Sequence, residues 1–332
     1  MSTRVAVMGS GSWGTAFSLV LSDAGQQVSM WARRAEVADA ITHEHRNPDY
    51  FPDIELPGSV VAVTDPHAAM DGAEFVVMAV PSQTLRTNLE NWTIPPAAVI
   101  VSLAKGIELG TGLRVSEIIE QVAEIEPDRV AVVTGPNLAR EIAERQPSGS
   151  VVASTSLATA ERLQAICHTP RFRAYTNTDV VGCELGGATK NVIALAVGMA
   201  VGLGLGANAT ATVITRGLAE SSRLGLALGA DPYTFSGLAG LGDLVATCNS
   251  PLSRNRTFGE QLGRGHSVAE IAASTRQVAE GVKSCASILD LARRAEVEMP
   301  IVEAVKTVID GTQTPPQMIA SLMARSAKPE RY

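Results

Sequence analysis

Hydrophobic positions in the first half of the chain fall into short β-branched runs separated by polar, helix-length segments. The runs are RVAVM (4–8), QVSMW (27–31), SVVAV (59–63), EFVVMAV (74–80), AVIVSL (98–103), RVAVVT (129–134), SVVAS (150–154) and FRAYT (172–176). Segments such as AEVADAITHEH and LRVSEIIEQVAEI lie between them. Near-continuous apolar strands alternating with helices predict an α/β domain whose mostly parallel sheet is covered on both faces.

From about residue 179 the strand runs stop. An Ala/Gly/Leu-rich stretch to about residue 229 is followed by the amphipathic segments VAEIAAS, VKSCASILDLARRA and IVEAVKTVID, a helical pattern throughout. The boundary is expected within TNTDVVG (176–182), dividing the chain into 1–178 and an all-α unit, 179–332. Residues 192–206 are apolar, but Gly198, Gly202, Gly204 and Gly206 interrupt them and the polar ANATAT follows. A buried core helix is expected there, not a membrane span.

Composition narrows the function. With 332 residues, 45% hydrophobic and 18% charged, the chain can fill two cores. A formal net charge of -7 and the lack of any basic block argue against a nucleic-acid surface, so an anionic ligand must be held by a few local cations. Cys167, Cys183, Cys248 and Cys285 have neither metal-site nor disulfide-scaffold spacing, which fits reduced thiols in the cytoplasm. Strand-like sequence from Arg4 leaves no room for a signal peptide. His43 and His45 lack a matching carboxylate or cysteine cluster, so no metal is expected.

After the first run comes GSGSWG, with Gly9, Gly11 and Gly14 in G-x-G-x-x-G spacing, and then a helical segment. In this context the motif predicts a Rossmann-type dinucleotide site. Gly9 turns the chain, Gly11 lets the backbone approach a diphosphate, Gly14 lets helix and strand pack, and the helix N-terminus faces the anion. NAD sites usually carry an acid at the end of the second strand, but here the sequence is WARR, with no acid until Glu36. Arg33 and Arg34 favour a 2′-phosphate, hence NADP(H), with NAD(H) as the alternative.

Ligands of open parallel sheets bind at the carboxyl ends of the strands. Those ends supply Pro81 and Ser82, Lys105 in SLAKGIE, and Gly135, Pro136 and Asn137 in VVTGPNLARE. The helical half adds GATKN with Lys190 and Asn191, GLAGLGDLVATC with Asp243, and SRNRTFG with Ser253, Arg254, Asn255 and Arg256. A lysine at the head of an apolar run either snorkels to water or is held for chemistry. Asp243, isolated among glycines and apolar residues, needs a cation, and Lys190 is its natural partner. SRNR groups donors suited to a phosphate dianion, unless it is simply a solvated turn.

The sequence resembles the bacterial NAD(P)-dependent sn-glycerol-3-phosphate dehydrogenases from Val5 to about Pro300. GSGSWGTA, SLAKGIE, TGPNLARE, ELGGATKNVIALAVG, LGANATATVITRGLAE, GLAGLGDLVATC, SRNRTFG and VAEGV occur in that family's order. The resemblance implies a helical second domain like that of 6-phosphogluconate dehydrogenase. It also implies interconversion of dihydroxyacetone phosphate and sn-glycerol 3-phosphate for phospholipid synthesis. It makes Lys190 the proton donor and acceptor, with Lys105, Gly135, Asn137, Asp243, Ser253, Arg254 and Asn255 around the substrate. Ser12, Trp13, Arg33, Arg34, Lys105, Ala139, Arg254, Val278 and Glu280 would contact the cofactor, beside Gly9, Gly11, Gly14 and Pro81. Asn137 departs from the Ser or Thr frequent in the family, although an amide still offers hydrogen bonds.

On this reading Lys190, held by Asp243, stabilises and protonates the ketone oxygen, Asn191 orients it, and Arg254 and Asn255 grip the phosphate. A homodimer is expected through the Gly/Ala-rich helices. The rivals are a dehydrogenase of the same fold acting on another hydroxy acid, and a non-catalytic NADP(H)-binding sensor.

Overall fold

A computed structural model describes residues 2–274, 279–327 and 329–330. The first half alternates β1 (Arg4–Met8), α1 (Ser12–Asp23), β2 (Gln27–Trp31), α2 (Ala35–His43), β3 (Val60–Val63), α3 (Pro66–Met70), β4 (Phe75–Met78) and α4 (Ser82–Asn91). It continues with β5 (Val99–Ser102), α5 (Val115–Ala123), β6 (Val130–Thr134), α6 (Ala139–Ala143), β7 (Ser148–Ala153), α7 (Leu157–Cys167) and β8 (Phe172–Asn177). These strands form one eight-stranded sheet in the order β3-β2-β1-β4-β5-β6-β7-β8. Each predicted run is a strand, with its ends trimmed or extended by a residue or more where the chain turns. β1 to β6 are mutually parallel, as continuous burial requires. β7 runs antiparallel to β6 and β8 follows β7, so the sheet is mostly parallel, as expected, rather than wholly so.

The strand side chains divide between two cores. Val5, Val7, Phe75, Val77, Val99 and Val101 join α1 on one face, while Ala6, Met8, Val76, Met78 and Ile100 pack with α4 and α5 on the other. The reversal of strand order at β1 against β4 opens a crevice at the carboxyl ends of the central strands.

The second half is helical: α8 (Val180–Gly202), α9 (Ala207–Ala227), α10 (Pro232–Ser236), α11 (Asp243–Asn249), α12 (Arg254–Gly263), α13 (Val268–Ser274), α14 (Glu280–Arg294), α15 (Pro300–Ile309) and α16 (Pro315–Met323). α8 is long and apolar enough to cross a membrane, yet 89% of its most apolar window is buried by the surrounding chain. It is the core helix expected there. Its glycines serve packing: a Cβ on Gly198 would lie 2.1 Å from the Arg256 carbonyl oxygen, and one on Gly259 would lie 2.1 Å from that of Leu195. α8 and α12 therefore cross backbone against backbone.

α8 is also tied to the sheet domain. The buried Glu184 carboxylate accepts from Arg114 Nη1 at 2.7 Å, and from the Ser116 amide and hydroxyl at 2.8 and 2.6 Å. Desolvation raises the Glu184 pKa, against the opposing pull of Arg114 and Ser116. This anchor fixes α8 against α5 and with it the face that carries Lys190.

Candidate active site

The dinucleotide loop has the geometry its glycines predict. Gly9 takes φ +135, and a Cβ there would lie 2.8 Å from the Ala79 carbonyl oxygen; one on Gly14 would lie 2.2 Å from the Gly9 oxygen. At Gly11, which caps α1, a Cβ would meet nothing within 4 Å, so the backbone is open on the side where a diphosphate approaches. Ser12 and Trp13 begin α1, and Trp13 Nε1 is buried with no hydrogen-bond partner among the described residues. An orphaned donor beside an open glycine turn fits a dinucleotide, which would satisfy such a group. The loop is braced from below by Asn47, whose amide donates to the Ser10 carbonyl at 2.9 Å and to Thr15 Oγ1 at 2.8 Å.

Next to this loop is a hollow of about 390 Å³ whose lining includes Gly11, Arg33, Arg34, Asp49 and Tyr50. Arg33 makes no ion pair among the described residues, whereas Arg34 is bound by Asp49 and lies 3.3 Å from Glu36. The two arginines are thus not equivalent. Pro81 caps α4 and Ala139 starts α6, at the ends of loops that leave β4 and β6. Ser82 Oγ donates to Glu280 Oε1 at 2.6 Å, linking the sheet domain to the start of α14. Val278 lies outside the described residues.

The centre of the crevice is a carboxylate shared by two lysines. A π-helical turn over Leu238–Gly242, closed by the Gly242 N–H to the Gly237 carbonyl at 3.0 Å, leads into α11 and delivers Asp243 into the interior, 1% exposed. Lys190 Nζ donates to Asp243 Oδ1 at 2.5 Å and to Thr247 Oγ1 at 2.8 Å. Lys105 Nζ donates to Asp243 Oδ2 at 2.6 Å and to the Gly135 carbonyl at 3.0 Å. Burial pushes the Lys105 ammonium down to about 8, with Asp243 opposing the fall and Lys190 adding to it. The expected Lys190–Asp243 pair is present. What the sequence reading lacked was that Lys105 completes it, and that Thr247, one helical turn beyond Asp243, orients Lys190.

A second layer holds α12 against the centre. Asn255 Nδ2 donates to Asn191 Oδ1 at 2.9 Å, and Asn255 Oδ1 accepts from the Gly281 N–H at 2.9 Å. One hydrogen and the oxygen of the Asn255 amide thus join α8, α12 and α14, and its backbone N–H in the first turn of α12 is a further donor. Ser253 is the N-cap of that helix, its Oγ accepting from the Arg256 N–H at 3.3 Å. SRNR is thus a helix N-terminus rather than a loose turn. It places Arg254 at the first helical position, where the helix dipole and unpaired amides favour an anion. Asn137 Nδ2 donates to Ser150 Oγ at 3.1 Å; its Oδ1 and the Thr134 hydroxyl are buried without partners among the described residues.

Residues 4–160 match the N-terminal and residues 179–320 the C-terminal domain of NAD-dependent glycerol-3-phosphate dehydrogenase. The chain is 63% identical to the glycerol-3-phosphate dehydrogenase [NAD(P)+] of Streptomyces avermitilis, with all of both chains covered. It is 61% identical to that of Thermobifida fusca over 99% of each. Among solved structures, glycerol-3-phosphate dehydrogenase from Coxiella burnetii is 35% identical and superposes with a TM-score of 0.92, covering 98% of this chain and 99% of that one. With both of its domains matched and its relatives aligned end to end, the chain belongs to the NAD-dependent glycerol-3-phosphate dehydrogenase family.

Proposed function

We propose that Lys190 is the acid that gives up its proton as dihydroxyacetone phosphate is reduced to sn-glycerol 3-phosphate, the reaction of the family to which the chain belongs. The observation that carries this is the convergence of Lys190 and Lys105 on Asp243 at the mouth of the sheet crevice. Bound NAD(P)H supplies the hydride that reaches C2 of the ketone. Asp243 and Thr247 occupy two of the three Lys190 hydrogens, which leaves the third for the ketone oxygen. As charge builds on that oxygen, Lys190 stabilises it and then protonates it. Two ammonium groups on one carboxylate leave an excess positive charge in a nearly closed site, so an anionic substrate is drawn in while Lys105 remains charged. Arg254 and the first-turn amides of α12 hold the phosphate, and Asn191, locked by Asn255, orients the reacting end.

Glycines 9, 11 and 14 with Ser12, Trp13, Pro81 and Ala139 form the cofactor's bed, together with Lys105, Arg254 and Glu280. Arg33, which makes no ion pair among the described residues, supports the preference for NADP(H). The product serves glycerophospholipid synthesis. The change from β8, ending at Asn177, to α8, beginning at Val180, supports a domain division at 178/179. Four buried, free cysteines support a cytoplasmic location. A homodimer is supported by apolar side chains on the surface of α9 and α10, Leu226 at 61% and Tyr233 at 82% exposure, rather than by the buried α8. Sedimentation would test the dimer.

The decisive experiment follows loss of the reduced-nicotinamide absorbance with purified protein, dihydroxyacetone phosphate and NADPH or NADH. Turnover with the phosphate ester but not with unphosphorylated dihydroxyacetone is expected. Failure with both, in protein shown to bind dinucleotide, would sink the substrate assignment.

A further inference from the structure

The hollow beside the dinucleotide loop contains a carboxylate that the end of β2 does not supply. In dinucleotide folds that take NAD, an acid at that strand end accepts from the ribose hydroxyls. Here the strand end carries Arg33 and Arg34, and Asp49 enters the same hollow from the loop between α2 and β3. Its position is fixed rather than incidental. The Asp49 N–H donates to Asn47 Oδ1 at 3.1 Å, and the fully buried Asn47 is bolted to Ser10 and Thr15 of the dinucleotide loop. The Phe51 N–H closes the turn on the Asn47 carbonyl at 3.1 Å, and the Phe51 ring is buried in the core.

Asp49 engages Arg34 and leaves Arg33 without an ion pair among the described residues. The Arg34 and Asp49 side chains are 47% and 36% exposed, and an ion pair this open to water adds little to stability. Its consequence is local: one of two guanidinium groups is already neutralised, and a negative charge stands where a 2′-phosphate would arrive.

We propose that Asp49 is a specificity-determining residue for the cofactor, accepting from the ribose hydroxyls of NAD(H) while holding Arg34 back from the 2′-phosphate of NADP(H). Arg33 alone then meets the phosphate, and the site serves both dinucleotides. This rests on the dinucleotide reading of the crevice. It assigns the ability to accept either cofactor to a loop residue fifteen positions beyond Arg34 in the chain.

The test is titration calorimetry of NADPH and NADH against the wild-type protein, Asp49→Asn, Arg34→Ala and the double variant. Asp49→Asn keeps the shape and the backbone N–H that Asn47 accepts. It should raise the ratio of NADPH to NADH affinity about tenfold or more by releasing Arg34 from Asp49, with only the longer contact to the exposed Glu36 remaining, and by removing the opposing charge. Arg34→Ala should change NADPH affinity less than threefold in the wild-type background but reverse most of the gain in the Asp49→Asn background. That non-additivity is the signature of a released arginine. A ratio unchanged within about twofold in Asp49→Asn, with both dinucleotides bound, overturns the proposal and leaves the dinucleotide site intact. Binding of neither dinucleotide by the wild-type protein overturns the site itself, and the proposal with it.

Discussion

Lys105 and Lys190 hold the two oxygens of one carboxylate, reaching Asp243 Oδ2 and Oδ1 from opposite domains at 2.6 and 2.5 Å. One ammonium comes from the loop after β5 and the other from the middle of α8. This three-residue cluster therefore forms only when the sheet domain and the helical domain are docked.

If Lys190 is the proposed acid, its loss separates chemistry from binding. Lys190→Ala is expected to lower kcat by about a hundredfold or more, the usual size of a missing general acid, while NADPH affinity stays near normal. Single-turnover absorbance together with calorimetric binding measures both. A variant that keeps near-normal turnover would remove Lys190 from the role.

The pH dependence should carry the mark of Lys105. Its ammonium titrates near 8 in the folded protein against 10.5 ordinarily, because burial opposes the charge. Below pH 8 the group is charged and, on the proposed reading, draws in the anionic substrate; as pH rises through 8 that charge is lost. The expected profile of kcat/KM for reduction falls above about pH 8, and Lys105→Met lowers kcat/KM and abolishes that limb. For stability the sign is the reverse. Between pH 8 and 10.5 the unfolded chain binds more protons at this residue, so its contribution to stability improves as pH rises across that window.

Legibility in the sequence followed the range of the interaction. Gly9, Gly11 and Gly14 act within one turn of chain, and their spacing announced their geometry. Asp243 was legible as a carboxylate in need of a cation, and Lys190 as a lysine in need of a purpose, although 53 residues separate them. Lys105 was legible as a cation at the carboxyl end of a strand, but not as a partner of Asp243, which stands 138 residues away. Thr247 left a signal that went unread, four residues after Asp243 on the same helical face. Asp49 was hidden because an acid was sought at the end of β2, whereas a loop delivers it. The reversed β7 was illegible for another reason: its buried run SVVA has the same pattern whichever way the strand points.

Glu220 gives a stability prediction away from the site. On α9, its buried carboxylate accepts from the Ile301 N–H at 2.8 and 3.1 Å and from that of Val302 at 3.4 Å, capping α15. Desolvation nevertheless pushes its pKa up to about 7 from 4.5, with Glu303 adding to the rise and Arg223 opposing it. The folded state binds more protons than the unfolded between those values, so the contribution of Glu220 to stability declines as pH rises from 4.5 to 7. The full swing is on the order of 3 kcal/mol. Urea unfolding of Glu220→Gln should show a flatter dependence over this window, and an unaltered slope would refute the assignment.

The crossing of α8 and α12 allows the proposed phosphate grip to be tested apart from the scaffold that would carry it. Arg254→Ala removes a charged donor at the start of α12 and should raise KM for dihydroxyacetone phosphate about tenfold or more. Gly259→Ala leaves every ligand-facing group in place but sets a methyl against the Leu195 backbone, which cannot swing aside as a side chain can. α12 must then back away from α8, at a cost of about 3 kcal/mol by the scale of overpacked cores. Since Arg254 and Asn255 ride on the same helix, KM should rise in this variant too. Gly58→Ala is the control: its Cβ would meet nothing within 4 Å and it lies in a loop between α2 and β3, so both stability and KM should hold. If Gly259→Ala unfolds at the wild-type urea concentration and keeps its KM, the backbone crossing does not position the phosphate site.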